Sequence, residues 1–291
     1  MAVLLLPLIQ VAPAAALDVV VVKSADIKPY NDAVEGFKAS CNCSVEELNA
    51  AETEPKDLAR QVRKLDPDAV LAVGFDALKN LQSIKDLPIV YTMVPTITSS
   101  ISAQKNISGV NMNISPEAYI NAMTAVFGNL KRIGLVYNQH NMEHFATEAA
   151  RIAEAKDMVI ISKKANTPSD VPQLIDSMKD KIDLFWMLPD TTVVNSVAVD
   201  YLLLFSFQNR VPVFTFSRKF VEMGSLFALS IDPHDMGMQA GEVMKTLFSN
   251  GSKGPLKVDV RKPLLTINRK VMTKFGIRIK DDVMKKADVI N

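Results

Sequence analysis

Short runs of apolar residues alternate along this chain with stretches whose apolar residues recur every three or four positions. A continuous β-branched run such as Val19–Val22 predicts a parallel strand buried on both faces. Apolar residues spaced by three or four positions, such as Val34 and Phe37, predict a helix with one apolar face. Further strand-like runs lie at 68–73, 88–93, 132–137, 158–161, 183–188, 211–216 and 226–231. Strands alternating with helices predict an α/β protein built on parallel sheets flanked by helices.

The segment 106–138 contains the point at which this pattern restarts. Ser115, Pro116 and Glu117 predict a helix start, with an N-cap, a proline at the first helical position and an acid in the first turn. The strand-like run 132–137 follows. Two interpretations remain open from this segment alone. Either two similar α/β halves meet here with a ligand cleft between them, or it is an ordinary βα connection within one sheet.

The first seventeen residues differ in kind from the rest of the chain. They carry no charge, and Ala14 to Ala16 fit an A-x-A cleavage site. This pattern predicts a cleavable secretory signal peptide over 1–17 without a lipobox, and therefore a periplasmic protein. A membrane-spanning helix needs about 20 apolar residues, which this segment lacks. A first core strand is the alternative.

Composition excludes several classes of function. The 33 basic and 32 acidic side chains create no strong overall field for nucleic acid or an anionic membrane, and Lys285–Lys286 predicts a solvated surface. The two cysteines, Cys41 and Cys43, lie too close for an easy unstrained disulfide, so no disulfide framework or cysteine zinc site is expected. No G-x-S-x-G, P-loop or G-x-G-x-x-G motif supports a hydrolase, NTPase or dinucleotide enzyme.

The predicted ligand site follows from the strand order. Ligands of parallel α/β sheets bind beyond the carboxyl ends of the strands. The candidate ligand-binding residues at these ends are Ser24, Phe75, Asp76 and Thr92 in the first half, and Asn138, Asp190, Thr191, Phe216, Ser217 and Asp232 in the second. Short polar residues after a strand are also ordinary helix N-caps, which is the alternative for each of them. Phe75 and Phe216 are candidates for stacking on a ligand, whereas Trp186 lies mid-strand and is expected in the core.

One motif favours a different chemistry. His140, Glu143 and His144 have the H-x-x-E-H spacing of inverted zinc peptidases. The motif falls in a predicted βα turn, and no distant third ligand stands out. A zinc-dependent hydrolase is therefore a remote alternative. Contact of Met142 or Glu143 with a ligand is favoured over it.

From about residue 86 onward, the sequence resembles the substrate-binding proteins of a bacterial ABC uptake family whose studied members bind tryptophan or tyrosine. The pieces that carry the resemblance are 87–91, 106–110, 130–138, 211–214, 223–232, 237–241 and 287–290. They occur in the family's order over most of the chain. At Gly74–Phe75 and at 94–96 the chain departs from the family's usual residues beside the ligand, which puts the ligand's identity in doubt.

The resemblance implies a type I periplasmic binding protein with two Rossmann-like lobes joined by three crossovers. The lobes are expected at 18–113 with 229–252, and at 114–228 with 253–291. It implies a monomeric receptor, not an enzyme, without metal or cofactor, that closes over an amino acid or related molecule and delivers it to an ABC permease. A carboxylate such as Asp76, Asp190 or Asp232 would bind the ligand's ammonium group. A receptor for a membrane signalling protein is the alternative.

Overall fold

The computed structural model describes residues 16–249 and 254–291. The predicted signal peptide lies outside the described residues except for its last two positions, and so does the predicted helix stop at Asn250–Gly251. Leu17 already belongs to the first strand. Within the described part of the chain, no helix combines the length and the apolarity needed to cross a membrane.

The helices and strands alternate as the hydrophobic pattern predicts, except that the pattern did not indicate the largely polar strands at Cys43–Asn49 and Lys257–Asp259. Up to residue 111 they are β1 (Leu17–Lys23), α1 (Lys28–Cys41), β2 (Cys43–Asn49), α2 (Pro55–Lys64), β3 (Ala69–Val73), α3 (Phe75–Leu81), β4 (Ile89–Val94), α4 (Ser99–Ser102) and β5 (Ile107–Asn111). From residue 116 to residue 230 they are α5 (Pro116–Val126), β6 (Arg132–Tyr137), α6 (Gln139–Glu154), β7 (Val159–Lys164), α7 (Val171–Asp176), β8 (Leu184–Trp186), α8 (Ser196–Asn209), β9 (Val213–Thr215), α9 (Arg218–Met223) and β10 (Phe227–Ser230). The last elements are α10 (Pro233–Ser249), β11 (Lys257–Asp259), β12 (Leu264–Asn268), α11 (Arg269–Phe275), α12 (Asp281–Met284) and β13 (Asp288–Ile290).

These elements form two compact units. Unit 1 contains the described residues up to Met112 together with Pro233–Asp259, and unit 2 contains Asn113–Asp232 together with Val260–Asn291. The chain therefore passes between the units three times. The last two crossings lie later than the sequence predicts, after residues 232 and 259 instead of near 229 and 252. The reason is strand pairing, because β10 pairs with β9 and β12 of unit 2, and β11 pairs with β5 of unit 1.

Unit 1 is built on a parallel sheet of strand order β11-β5-β4-β3-β1-β2. Val20 and Val22 of β1 pack with Leu58 of α2 and Leu78 of α3 on one face. Val21, which points to the other face, is also fully buried. As predicted, this run of residues is apolar throughout because both faces of the parallel sheet are buried here.

Unit 2 is built on a sheet of strand order β13-β12-β10-β9-β8-β6-β7. The strands are parallel except at β12, which runs antiparallel to β10. Trp186 and Phe214 lie in a core with α5 and α6, whereas Phe185 and Val213 face α7 and α8. Trp186 is fully buried, which confirms its predicted place in the core. The predicted N-cap of α5 is also confirmed, because Ser115 Oγ accepts a hydrogen bond from the Ala118 N–H (3.2 Å).

Helices α1 and α10 of unit 1 pack at unusually close range. A Cβ added to Gly237 of α10 would overlap the backbone carbonyl of Ala33 in α1, and a Cβ at Gly36 would overlap that of His234. The Ser40 hydroxyl of α1 donates to the Met238 carbonyl of α10 (2.8 Å). This contact holds together two helices that are far apart in the sequence, because α10 enters unit 1 only after the chain has built most of unit 2.

The structure corrects the expectation for the cysteines, since Cys41 and Cys43 form a disulfide. Asn42 between them ends α1 in the left-handed conformation, with φ of 56°. This turn brings the two Cα atoms to 5.3 Å. That separation lies within the usual range of about 4.4–6.8 Å for disulfides. Sequence distance alone was a poor guide because it says nothing of the turn.

Candidate functional site

The carboxyl edge of the unit 1 sheet brings the predicted Ser24 to the start of α3. The Ser24 N–H donates to the Val73 carbonyl at the end of β3 (2.9 Å). Its Oγ accepts the Ala77 N–H in the first turn of α3 (2.9 Å). Gly74, which precedes α3, has φ of 91° and offers no capping side chain. Ser24 therefore caps a helix that begins some fifty residues later in the chain.

Beside this cap lie an aromatic ring, a carboxylate and a phenol. Phe75 is partly buried against the unit 1 core, and Asp76 is exposed. Tyr30 of α1 covers Gly74, so that a Cβ at Gly74 would lie 2.8 Å from the phenol oxygen. Partial burial, and then the charge of Asp76, raise the pKa of Tyr30. Tyr30 is not among the predicted residues, because it comes from a helix face and reaches this edge only by packing.

The end of β4 combines a buried hydroxyl with strained backbone. Thr92, a predicted ligand residue, is fully buried, and its Oγ1 has no hydrogen-bond partner among the described residues. Met93 has φ of 58°, in the left-handed region, and the pairing of β4 with β5 shifts register between Tyr91 and Val94. Strain of this kind is concentrated at functional sites. Thr92 itself lies beneath the surface of this edge, so its role as a ligand contact stays a prediction.

Thr92→Val is expected to raise the stability of the protein by about 1 kcal/mol. Valine keeps the shape of the side chain but removes a buried hydroxyl that has lost its water and gained no partner. Thermal unfolding measures the change, and Thr98→Val, at an exposed position, is the matched control. A fall in stability would contradict this account of Thr92. So would a loss of ligand binding in a variant whose stability has not fallen.

A second polar network of unit 1 lies next to two of the chain crossings. The Tyr91 hydroxyl donates to Asn111 Oδ1 (2.6 Å), and Asn111 Nδ2 donates to Asp259 Oδ1 (3.0 Å). Gln239 of α10 donates to the Asp259 carbonyl (3.1 Å). Burial, with a smaller contribution from the charge of Asp259, raises the pKa of Tyr91 to about 12. This network was not predicted, because its four members come from four elements, β4, β5, α10 and β11.

At the carboxyl edge of unit 2, Asp190 organises the loops that follow β6 and β8. Only 1% of Asp190 is exposed. Its Oδ2 accepts the Asn138 N–H, and its Oδ1 accepts from Asn141 Nδ2 (2.8 Å) and from the Thr192 N–H (2.9 Å). Asn138 in turn caps α6 through its side-chain oxygen (3.0 Å to the His140 N–H). The predicted pair Asn138 and Asp190 is thus brought together as a buried structural network, whereas the predicted Thr191 is exposed beside it.

The predicted contact residues of α6 are already engaged within unit 2. Glu143 accepts from the Tyr137 hydroxyl (3.1 Å) and from Lys164 Nζ (3.0 Å). The hydrogen bond from Lys164 lowers the pKa of Glu143. Burial, and then the hydrogen bond to Glu143, raise the pKa of Tyr137. Met142 is half-buried against the unit 2 core. Both residues remain predicted, untested ligand contacts.

The H-x-x-E-H motif lies in the first turns of α6 and not in the predicted turn before it. His140 and His144 are exposed on this helix. Glu143, which would be the general base, has its two oxygens engaged by Tyr137 and Lys164. In the described residues, no three His, Cys, Asp or Glu side chains are grouped so that they could hold a metal. Among residues 16–249 and 254–291, the zinc-hydrolase alternative therefore finds no third ligand, and its base is already engaged.

The remaining predicted residues of unit 2 follow β9 and β10. Phe216 is half-buried and packs edge-on against Phe220 (centroids 5.4 Å apart). Ser217 caps α9, accepting the Lys219 N–H (3.3 Å). Asp232, at the chain crossing after β10, is half-buried and already interacts with other residues. The alternative of ordinary helix caps therefore holds for Ser217, as it does for Asn138.

Two surface pockets lie away from these residues. One of about 380 Å³ in unit 1 includes Pro88 and Asn106, which precede β4 and β5. The other, of about 280 Å³ in unit 2, includes Leu130 and Asp183, which precede β6 and β8. Both pockets therefore lie at the amino edges of the sheets and contain none of the predicted ligand residues.

Solved structures with the same arrangement of elements identify the fold. The ligand-free, open structure of a substrate binding protein with adhesive properties from Clostridium difficile matches with a TM-score of 0.76 and 18% identity, covering 95% of this chain and 99% of that chain. An ABC domain in complex with L-Trp from Streptococcus pneumonia matches with a TM-score of 0.59 and 20% identity, covering 95% and 100%. The predicted α/β fold of a type I periplasmic binding protein is confirmed.

Sequence comparison extends this likeness to a family. A protein named tyrosine-binding protein, from Clostridioides difficile (strain R20291), is 23% identical over 278 residues, which cover 92% of this chain and 76% of the relative. The family model of ABC transporter substrate binding proteins matches residues 32–290, which span both units. The family predicted from the resemblance is thereby confirmed: this chain belongs to the ABC transporter substrate binding proteins.

Proposed function

We propose that this chain is the extracytoplasmic receptor of an ABC uptake system, and that its ligand is an aromatic amino acid or a close analogue. The observation that carries the ligand class is the likeness to the tyrosine-binding protein over 92% of the chain. The L-Trp complex among the structural neighbours supports it. The receptor would bind and release its ligand unchanged, act as a monomer and reach the periplasm through the predicted signal peptide.

The contacts of the candidate carboxylates favour Asp76 as the partner of the ligand's ammonium group. Both oxygens of Asp190 already accept hydrogen bonds within unit 2, and Asp190 is buried. Asp232 already interacts with other residues. Asp76 is exposed at the carboxyl edge of unit 1, follows Phe75 in the chain, and lies close enough to Tyr30 for its charge to raise the pKa of that phenol. A charged carboxylate beside two aromatic rings suits a ligand with an ammonium group and an aromatic side chain.

Thermal unfolding in the presence of single solutes tests the proposed function. Ligands that bind only the native state raise the melting temperature in proportion to the logarithm of their excess. L-Tyrosine, L-tryptophan or L-phenylalanine is expected to raise it selectively, whereas aliphatic amino acids, sugars and Zn²⁺ are not. A rise in the melting temperature with Zn²⁺ alone would reject the proposal. So would the absence of a rise with every solute of the panel.

Asp76→Asn is expected to weaken binding of the aromatic amino acid by about ten- to hundredfold. The variant loses a charge-assisted hydrogen bond, which is worth roughly 1.5–3 kcal/mol. Isothermal titration calorimetry measures the affinity. Asp200→Asn, which neutralises an exposed carboxylate on α8, is the matched control. Equal affinities of the two variants would remove Asp76 from the site and leave the proposed function standing.

A further inference from the structure

A segment at the end of unit 2 separates its charged and apolar residues. We call residues 269–286, which contain α11 and α12, the basic strap. Its apolar side chains pack partly buried against the unit 2 core, and they are Met272, Phe275, Ile277, Ile279, Val283 and Met284. Its basic side chains are all exposed, and they are Arg269, Lys270, Lys274, Arg278, Lys280, Lys285 and Lys286. The strap is therefore a fixed element with a cationic outer surface.

The net charge of the whole chain does not reveal this local excess of basic residues. The basic strap carries seven basic and two acidic side chains in 18 residues, whereas the other 273 residues carry 26 basic and 30 acidic ones. The strap is thus a strongly basic segment in a chain that is otherwise slightly acidic. A charge asymmetry of this kind orients a molecule in an external field, which net charge alone would not predict.

The cations of the strap have few partners within the protein. Among the described residues, no acidic side chain forms an ion pair with any of the seven. Asp288, just beyond the strap, is paired with Arg218. Lys274 Nζ lies over the Phe207 ring, 4.3 Å from its centroid. In the described part of the chain, the other six cations therefore have neither an ion-pair partner nor an aromatic ring beneath them.

The strap begins at the amino edge of the unit 2 sheet. The Asn268 N–H, at the end of antiparallel β12, donates to the Leu226 carbonyl just before β10 (2.8 Å). Further along the strap, Ile277 and Arg278 line the pocket that contains Leu130. The predicted ligand residues of unit 2 lie at the opposite, carboxyl edge. The last residues of the strap, Lys285 and Lys286, precede β13, which runs parallel to β12 and whose Asp288 pairs with Arg218. The strap therefore runs from the amino edge of the sheet toward its carboxyl edge.

We propose that the basic strap is a peripheral docking surface for the headgroups of anionic phospholipids. Five of its seven cations are lysines, whose flexible point charges suit a diffuse layer of phosphates more than one shaped carboxylate or phosphate site. Its apolar side chains face the core, so binding is electrostatic and involves no insertion into the bilayer. A receptor of an ABC transporter works beside a membrane, where such a contact would hold it close to its permease.

Vesicle flotation tests this proposal with the purified full chain. The vesicles contain phosphatidylcholine with about one third phosphatidylglycerol, and pure phosphatidylcholine vesicles are the reference. The protein is expected to bind only the anionic vesicles at low salt, and to be released at about 1 M salt, where screening acts within roughly 3 Å. Neutralising four cations together, K270Q/K280Q/K285Q/K286Q, is expected to weaken binding by tenfold or more.

The matched control is K56Q/K64Q/K79Q/K105Q, which removes the same charge from exposed lysines of unit 1. It is expected to weaken binding to the anionic vesicles much less than the strap variant does, because the charges it removes lie outside the strap. Equal loss in both variants would show a general charge effect and overturn the proposal. So would the absence of binding at low salt, or binding to soluble polyglutamate without binding to vesicles. Amino acid affinity, measured on the same variants, reports separately on the proposed receptor function.

Discussion

Replacing Gly237 with alanine is expected to destabilise unit 1 by about 3 kcal/mol or more, a lowering of the melting temperature by roughly 5–10 °C. The added methyl group would overlap the Ala33 carbonyl of α1. The obstructing atom belongs to the backbone, so α1 and α10 must move apart as whole helices. Alanine favours a helix over glycine by about 1 kcal/mol, so any loss of stability reports on packing alone.

Gly128→Ala is the control for this experiment. A Cβ at Gly128 would meet nothing within 4 Å, and its φ is not in the left-handed region. The free energy of unfolding of this variant is expected to change by no more than about 0.5 kcal/mol. Calorimetry of both variants makes the comparison. If Gly237→Ala melted like Gly128→Ala, the two helices would not be in the close contact that the structure shows.

Asp190→Ala is expected to destabilise unit 2 by about 3 kcal/mol. The substitution leaves the Asn138 N–H, the Asn141 amide and the Thr192 N–H without their acceptor. The Asn138 N–H is buried, and a buried donor left unsatisfied costs about 1–3 kcal/mol. The hydrogen bonds from Asn141 and Thr192 are only partly buried and add less. The stability of Asp190→Asn is expected to lie between that of the natural sequence and that of Asp190→Ala, because the asparagine amide retains one accepting oxygen. Thermal unfolding without ligand measures both changes.

The same variants separate a structural role of Asp190 from a ligand contact. Asp200→Ala, which truncates an exposed carboxylate, is expected to unfold like the natural sequence. If Asp190→Asn unfolded normally but lost affinity for the amino acid, Asp190 would be a ligand contact after all. In that case Asp190, and not Asp76, would be the partner of the ligand's ammonium group. A loss of stability with an unchanged affinity per folded molecule is the expected outcome.

Residues that act on their sequence neighbours were predicted well. Val19–Val22 became a buried central strand, and Ser115 became the N-cap of α5, as the local pattern indicates. The same local logic applied to Asn138 and Ser217, which cap α6 and α9 directly after their strands. Such features depend on backbone geometry within a few residues, and therefore the sequence is enough to predict them.

Residues whose partners are distant in the sequence were missed or assigned the wrong surroundings. Ser24 caps α3 from another strand, and Tyr30 reaches the edge of the sheet from α1. Thr92 follows the pattern of an exposed strand end but is fully buried. The disulfide between Cys41 and Cys43 depends on the left-handed turn at Asn42. Nothing in the spacing of these residues reports such contacts.

The sequence by itself determined the α/β class, the order of the apolar strands and their helices, and the edges at which polar residues gather, but not the largely polar strands β2 and β11. It could do so because the period of apolar residues records directly which face of each element is buried. Only the tertiary structure decided which carboxylates stay accessible, with Asp190 enclosed and Asp76 exposed. It also showed that all seven cations of the strap are exposed. Accessibility depends on contacts between segments that are remote in the chain, and no local pattern contains that information.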